Sequence, residues 1–143
     1  MTISLMRVDH YDEVYALWSS MPGIGLHTDA EDSREGIARY LRRNPDTCFV
    51  AEEAGRIVGA VLCGNDGRRG HINHLAVAAD CRSRGIGRAL VDACRAACRA
   101  QGIDKCAFQV FRNNEAGNAF WDALGATRNE AVIYRILDTE GAK

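Results

Sequence analysis

The chain has little proline, no excess of charge of either sign and no long apolar run. Its two prolines and 14 glycines follow no short repeat, which excludes collagen-like and low-complexity organisation. Eighteen basic against nineteen acidic side chains leave a formal net charge of -1. The broad basic surface of a nonspecific nucleic-acid or membrane binder is therefore missing. No stretch reaches the ~20 apolar residues that a membrane span needs. Met1 to Asp9 holds no uninterrupted apolar core of a secretory signal. None of the six cysteines forms a C-x-x-C pair, so zinc-ribbon and thioredoxin motifs are excluded.

What remains is the composition of a folded domain. Hydrophobic residues make up 47% of the 143, too many for a disordered chain. One domain of this length buries roughly 68–70% of its unfolded surface and needs no disulfide staples. Cys48, Cys63, Cys81, Cys94, Cys98 and Cys106 sit mostly in apolar runs, as small hydrophobes do. They read as buried, reduced thiols in a cytoplasmic protein.

Ser4 to Val8 is expected to form a first strand. Asp9 offers an N-cap for a helix with Val14, Leu17 and Trp18 on one face. Met21 to Thr28 is expected to be a loop. A second helix is expected to start near Asp32, where Asp32 and Glu35 have capping-box spacing, and to stop at Asn44-Pro45. Thr47 to Glu52 and Arg56 to Leu62 flank an Ala54-Gly55 hairpin turn, and His71 to Ala78 is a third strand-like run. A long helix follows from about Gly85 to Ala100, then a strand over Lys105 to Phe111. A short helix over Ala116 to Leu124 and a last strand over Ala131 to Leu137 complete the chain. The order predicts a mixed α/β (α+β) sheet with helices on both faces.

The segment with most chemistry is Leu75-Ala76-Val77, a short linker, then Arg82-Ser83-Arg84-Gly85-Ile86-Gly87-Arg88 opening a helix. Glycine lets backbone amides approach an anion closely. A helix start adds unpaired N–H donors and partial positive charge, and the three arginines add full charges, which together suit a pyrophosphate. The alternative is a solvated, Arg-rich helix start. A Walker A loop is absent, and position 90 is Leu where a dinucleotide fingerprint needs its third glycine.

Arg82-x-x-Gly85-x-Gly87 resembles the (Q/R)-x-x-G-x-(G/A) acetyl-CoA signature of the GNAT family of N-acetyltransferases. Gly70 to Val77 is similar to the strand that precedes it, especially in protein N-terminal and ribosomal-protein acetyltransferases. Asn114 to Ala126 resembles the family's N-x-x-A-x-x-(L/F)-Y-x-x-x-G-F segment. The resemblance covers roughly residues 48–137.

It implies one acetyltransferase domain over residues 1–143 with the family fold, using acetyl-CoA as co-substrate and no metal. Leu75, Ala76 and Val77 would pair with the pantetheine arm like an added strand. Backbone groups from Arg82 to Arg88, among them Ser83, Gly85, Ile86 and Gly87, would hold the pyrophosphate. Asn114 would contact the arm, and Phe120 would pack nearby. The acceptor would be a primary amine on a small molecule or a peptide N-terminus, and the protein a monomer or homodimer with no nucleic-acid or membrane partner.

The amine must lose a proton to attack, and His71 and His74 are the candidate bases, His71 first from its place in the family strand. Three apart on a regular strand, the two would point to opposite faces, which argues against a shared site or a metal pair. His27, Asp29, Glu31 and Asp32 lie where a substrate-side loop would be, and those acids would attract a cationic amine or simply open a helix. Trp121 stands where many members carry the Tyr that protonates the departing thiolate, so Tyr134 or water would take that role, or the thiolate would leave unprotonated. Gly117 is a smaller departure. A non-catalytic acyl-CoA sensor is the alternative that Trp121 motivates.

Overall fold

The computed structural model describes residues 1–140. They fall into two compact units, Met1–Phe111 and the segment from Arg112 onward. In the first unit β1 (Thr2–Leu5) leads through a single turn of tight helix, Val8–His10, into α1 (Tyr11–Ser19), and α2 is Arg34–Arg43. Then come β2 (Phe49–Glu53), β3 (Arg56–Asn65), β4 (Gly70–Val77), α3 (Ile86–Ala100) and β5 (Cys106–Ala107). The five strands lie in the order β1-β2-β3-β4-β5, antiparallel except for the parallel β4–β5 pair.

β3 is the centre of the sheet because its sequence is apolar without alternation. Residues 57 to 64 are all buried, as expected of a strand covered on both faces. Ala54 and Gly55 both have positive φ, 51° and 76°, and make the two-residue turn that matches strand twist. One face carries α3, where the Cys63 sulfur lies 3.6 Å from that of Cys98. Strand alternation puts Leu62 and Gly64 on the other face. Their β4 partners are Asn73 and His71. The Tyr40 side chain of α2 lies near Asn73, and α1 packs on both β3 and β4, so α1 and α2 cover that face.

The apolar face read from the sequence for α1 is buried (Val14, Leu17 and Trp18), as are Ile37 and Leu41 on α2 and Ile86, Leu90 and Cys94 on α3. Helices on both faces of a mixed sheet were expected and are present. Three elements differ. β1 begins at Thr2, not Ser4, and β5 is only two residues long. The strand expected over Ala131 to Leu137 is not formed. Val132, Ile133, Tyr134, Ile136 and Leu137 are exposed, and the segment has no paired strand among the described residues. Strand propensity alone does not hold an extended segment, because its hydrogen bonds must come from elsewhere in the chain.

The second unit contains α4 (Glu115–Ala123), capped by Asn114, whose Oδ1 accepts from the Gly117 amide at 2.9 Å. No helix among the described residues is long and apolar enough to cross a membrane.

Candidate functional site

The site is built along the outer edge of β4. β5 pairs with β4 only at Gly70 and His71. Beyond them, Ile72 to Val77 have no strand neighbour on that side among the described residues. The inner edge pairs with β3, but the register slips: Asn73 faces Leu62 and Ala76 faces Ala60, so β4 carries one extra residue. This β-bulge is centred on His74, whose φ is +53°. The indole Nε1 of Trp18 donates to the His74 carbonyl at 2.9 Å.

The linker after β4 is anchored at several points. The Ala78 amide donates to Val58, and Arg56 grips Asp80 through two bonds of 2.9 Å, holding its carboxyl at about 2. Ser83 and Gly85 then adopt left-handed φ of 61° and 84°. Gly85 accommodates this without a Cβ penalty and turns the chain into α3. The first helical bond runs from the Ala89 amide to the Gly85 carbonyl, and no side chain caps the helix. Among the described residues, the amides of Ile86, Gly87 and Arg88 therefore have no acceptor.

The local positive charge is smaller than the sequence count. Arg84 is paired with Glu53 of β2 at 2.7 Å. Arg82 turns back toward the Val77 carbonyl, 3.3 Å away, and the Met21 sulfur. Among the described residues neither Arg82 nor Arg88 has a carboxylate partner. Two exposed guanidinium groups and three amides without an acceptor thus lie next to the unpaired edge of β4, Ile86 itself being buried.

Two histidines on β4 behave differently. His71 Nε2 meets the Gln109 carboxamide at 3.1 Å in an exposed contact. His74 Nε2 lies 2.8 Å from Asp32 Oδ1, with the two side chains only 15% and 5% exposed. The His74 ring also meets the Trp18 ring edge-on at 5.0 Å. Asp32 is not the helix cap that its spacing with Glu35 implied. Ser33 takes that role, accepting from the Gly36 amide at 3.0 Å, and frees Asp32 to bond the His27 amide and His74. Burial would raise the Asp32 carboxyl, but these hydrogen bonds outweigh it and hold the group below its ordinary value.

The strand geometry also corrects an expectation from alternation. The extra residue turns His74 to the side of α1 and α2, the face that His71 already shares. Asp32 and His74 are 42 residues apart, and neither periodicity nor spacing signals their pairing.

All six cysteines are free. The sulfurs of Cys63, Cys98 and Cys106 lie within 4.8 Å of one another between β3, α3 and β5. Burial pushes Cys48 and Cys106 up to about 12 and Cys98 to about 11. These groups are thiols at neutral pH and poor nucleophiles. Ellman's reagent at pH 8 is expected to leave at least five of the six unmodified in the native protein and to reach all six in guanidinium. Fast native labelling of several would contradict the packing.

In the second unit, Asn114 is engaged as the α4 cap, and the Phe120 and Trp121 rings meet edge-on at 5.0 Å. Gly117 has a packing reason beyond helix propensity. A Cβ there would sit 2.5 Å from Asn114 Nδ2, so glycine allows the cap to fold over the helix start. Tyr134 is 66% exposed and lies in no regular element.

The sequence profile of the Acetyltransferase (GNAT) family matches residues 11–126. An acetyltransferase of Sodalis glossinidius is 33% identical over 133 residues, covering 93% of this chain and 92% of the relative. The crystal structure of Ard1 from Thermoplasma volcanium superposes with a TM-score of 0.76 at 24% identity, over 87% of this chain and 80% of that one. AAC(6')-Iy, in complex with the bisubstrate analogue CoA-S-monomethyl-acetylneamine, gives 0.75 at 20% identity, over 96% and 97%.

Proposed function

Because this chain belongs to the Acetyltransferase (GNAT) family, we propose that it is an acetyl-CoA-dependent N-acetyltransferase, a single domain moving acetyl to a primary amine of a small molecule or a peptide N-terminus. The observation that carries the reading is the adjacency of two backbone surfaces. One is the uncapped start of α3, and the other is the β4 edge from Leu75 to Val77, which has no strand neighbour among the described residues and whose Val77 carbonyl meets Arg82.

The residues present suit the co-substrate. Amides of Ile86, Gly87 and Arg88, with the Arg82 and Arg88 guanidinium groups, form a donor set for a pyrophosphate. Ser83, Arg84 and Gly85 shape the turn that presents them. The backbone of Leu75, Ala76 and Val77 offers strand-type pairing to an amide-bearing arm. Asn114 and Phe120 are assigned to the same arm by their match to the family's second motif. When bound, acetyl-CoA supplies the acetyl group already activated as a thioester.

The chain's own task is to bind, orient and move protons. A backbone N–H near Val77 polarises the acyl carbonyl. The exposed acids Asp29 and Glu31 precede Asp32 in the same loop and draw a cationic amine toward β4. The amine then loses a proton to a base on β4, where His71 and His74 stand. Tyr134 or water protonates the departing thiolate. No cysteine takes part.

Titration calorimetry with acetyl-CoA, followed by an amine panel read by release of free thiol, tests the proposal. Tight binding and turnover of at least one primary amine are expected. Binding with no turnover on any acceptor would instead support an acyl-CoA sensor, the reading that Trp121 favours.

A further inference from the structure

We infer that His74 is the base that takes the acceptor's proton, and that Asp32 is the positioning residue that fixes its tautomer. The inference rests on the acetyltransferase reading and names the proton acceptor of that same site.

Four observations converge. First, the Asp32 carboxylate meets His74 Nε2 at 2.8 Å, so Nε2 carries the hydrogen and Nδ1 keeps its lone pair. Among the described residues nothing bonds Nδ1. Secondly, Asp32 is itself fixed: its Oδ2 accepts from the His27 amide at 2.8 Å, and its carbonyl accepts from the Tyr11 hydroxyl at 2.7 Å. Thirdly, the bulge that gives His74 a φ of +53° places the ring directly before Leu75, where the open edge proposed for the acyl arm begins. A non-glycine residue held at positive φ is strained unless its surroundings fix it, and here Trp18 bonds the carbonyl while Asp32 bonds the ring. Fourthly, Asp32 closes the loop that carries Asp29 and Glu31, which ties the base and the cation-attracting acids to one segment.

The step balances as a proton transfer. The acceptor ammonium gives one proton to Nδ1 and becomes a neutral amine with a free lone pair. The imidazolium so formed faces the Asp32 carboxylate and later returns its proton to water. His71 lacks this support, since its partner is the neutral Gln109 carboxamide.

Asp32 faces the ring. Behind Asp32 lie the His27 ring, paired with Glu31 at 4.0 Å, and the Tyr11 hydroxyl, with Arg34 over the Tyr11 ring and bonded to Asp12. Trp18 on α1 is neutral. Asp32 is thus, among the described residues, the charged group that meets the ring.

The experiment uses the full chain and the primary amine that turns over fastest in the panel. H74Q is expected to lower kcat at least 100-fold at pH 7.5, a typical contribution for a general base, with acetyl-CoA affinity unchanged. It should also remove the acidic limb of the kcat profile. D32N is expected to reduce the kcat plateau while leaving acetyl-CoA affinity unchanged. A second readout needs no substrate: the four histidine ring signals in NMR, with His74 assigned by its loss in H74Q. In the wild type the His74 ring should carry its hydrogen on Nε2, and D32N should move part of that hydrogen to Nδ1.

Wild-type turnover with an unchanged limb in H74Q, or a limb removed by H71Q instead, overturns this inference and leaves the acetyltransferase reading standing. Acetyl-CoA binding with no turnover by the wild type overturns both.

Discussion

Replacing Gly87 by tryptophan is expected to weaken acetyl-CoA binding at least 100-fold while the fold survives. Gly87 is the second residue of α3, half-buried, and its φ is not positive, so a side chain there meets no backbone strain. The helix would gain up to ~1 kcal/mol in propensity. The loss falls on the ligand. A pyrophosphate oxygen must come within roughly 2.7–3.2 Å of the amides of residues 86 to 88, and an indole rooted between them occupies that approach. Hydrogen bonds to a charged group contribute about 1.5–3 kcal/mol each. Losing one or two of them reaches the 2.7 kcal/mol or so that corresponds to 100-fold. Calorimetry of binding, with a melting curve beside it, reads both halves of the expectation. Unchanged affinity would remove the phosphate role from this loop; a collapsed melting temperature would mean that position 87 serves packing.

Substituting Trp18 by alanine should cost about 3–5 kcal/mol of stability, a large share of the 5–15 kcal/mol of a typical domain. Trp18 is fully buried on α1 beneath β4, and its indole N–H satisfies the His74 carbonyl at the bulge. Alanine removes the ring and leaves that carbonyl unpaired. For a domain of this size the melting temperature should fall by roughly 10–20 °C. Phenylalanine separates the two terms, since it keeps much of the apolar volume but cannot donate; roughly 1–2 kcal/mol of destabilisation is expected from the lost bond. A W18A variant melting within a few degrees of wild type would contradict the packing of α1 on the sheet. W18F should also disturb His74 in NMR more than His71, because the indole bonds only the former.

Much of the fold was legible because local rules point the same way as the packing. The continuous apolar run in β3, the Ala54-Gly55 turn and the α3 stripe of Ile86, Leu90 and Cys94 are statements about neighbours in sequence. The structure places each as read. The loop from Arg82 to Arg88 was legible for the same reason: positive φ at Gly85, a helix start and flanking arginines are all local. The sequence overstated its charge, since the pairing of Arg84 with Glu53 of β2 depends on the register of a distant strand.

The histidine site was not legible in this way. Alternation separated His71 from His74, and a single inserted residue in β4 put them on one face. Capping-box spacing assigned Asp32 to the start of α2, and Ser33, one residue later, took the cap and released it. Ala131 to Leu137 has the composition of a strand yet forms none, because pairing needs a partner that composition cannot supply.

The near-neutral composition and the two motifs by themselves determined a family and a glycine- and arginine-rich helix start, because helix starts, glycine turns and arginines act over a few residues. Tertiary structure alone decided which arginines remain free of carboxylates, which edge of β4 stays open, and that a carboxylate 42 positions away holds His74. Those outcomes depend on a bulge and on packing between distant segments, and no spacing in the sequence encodes either.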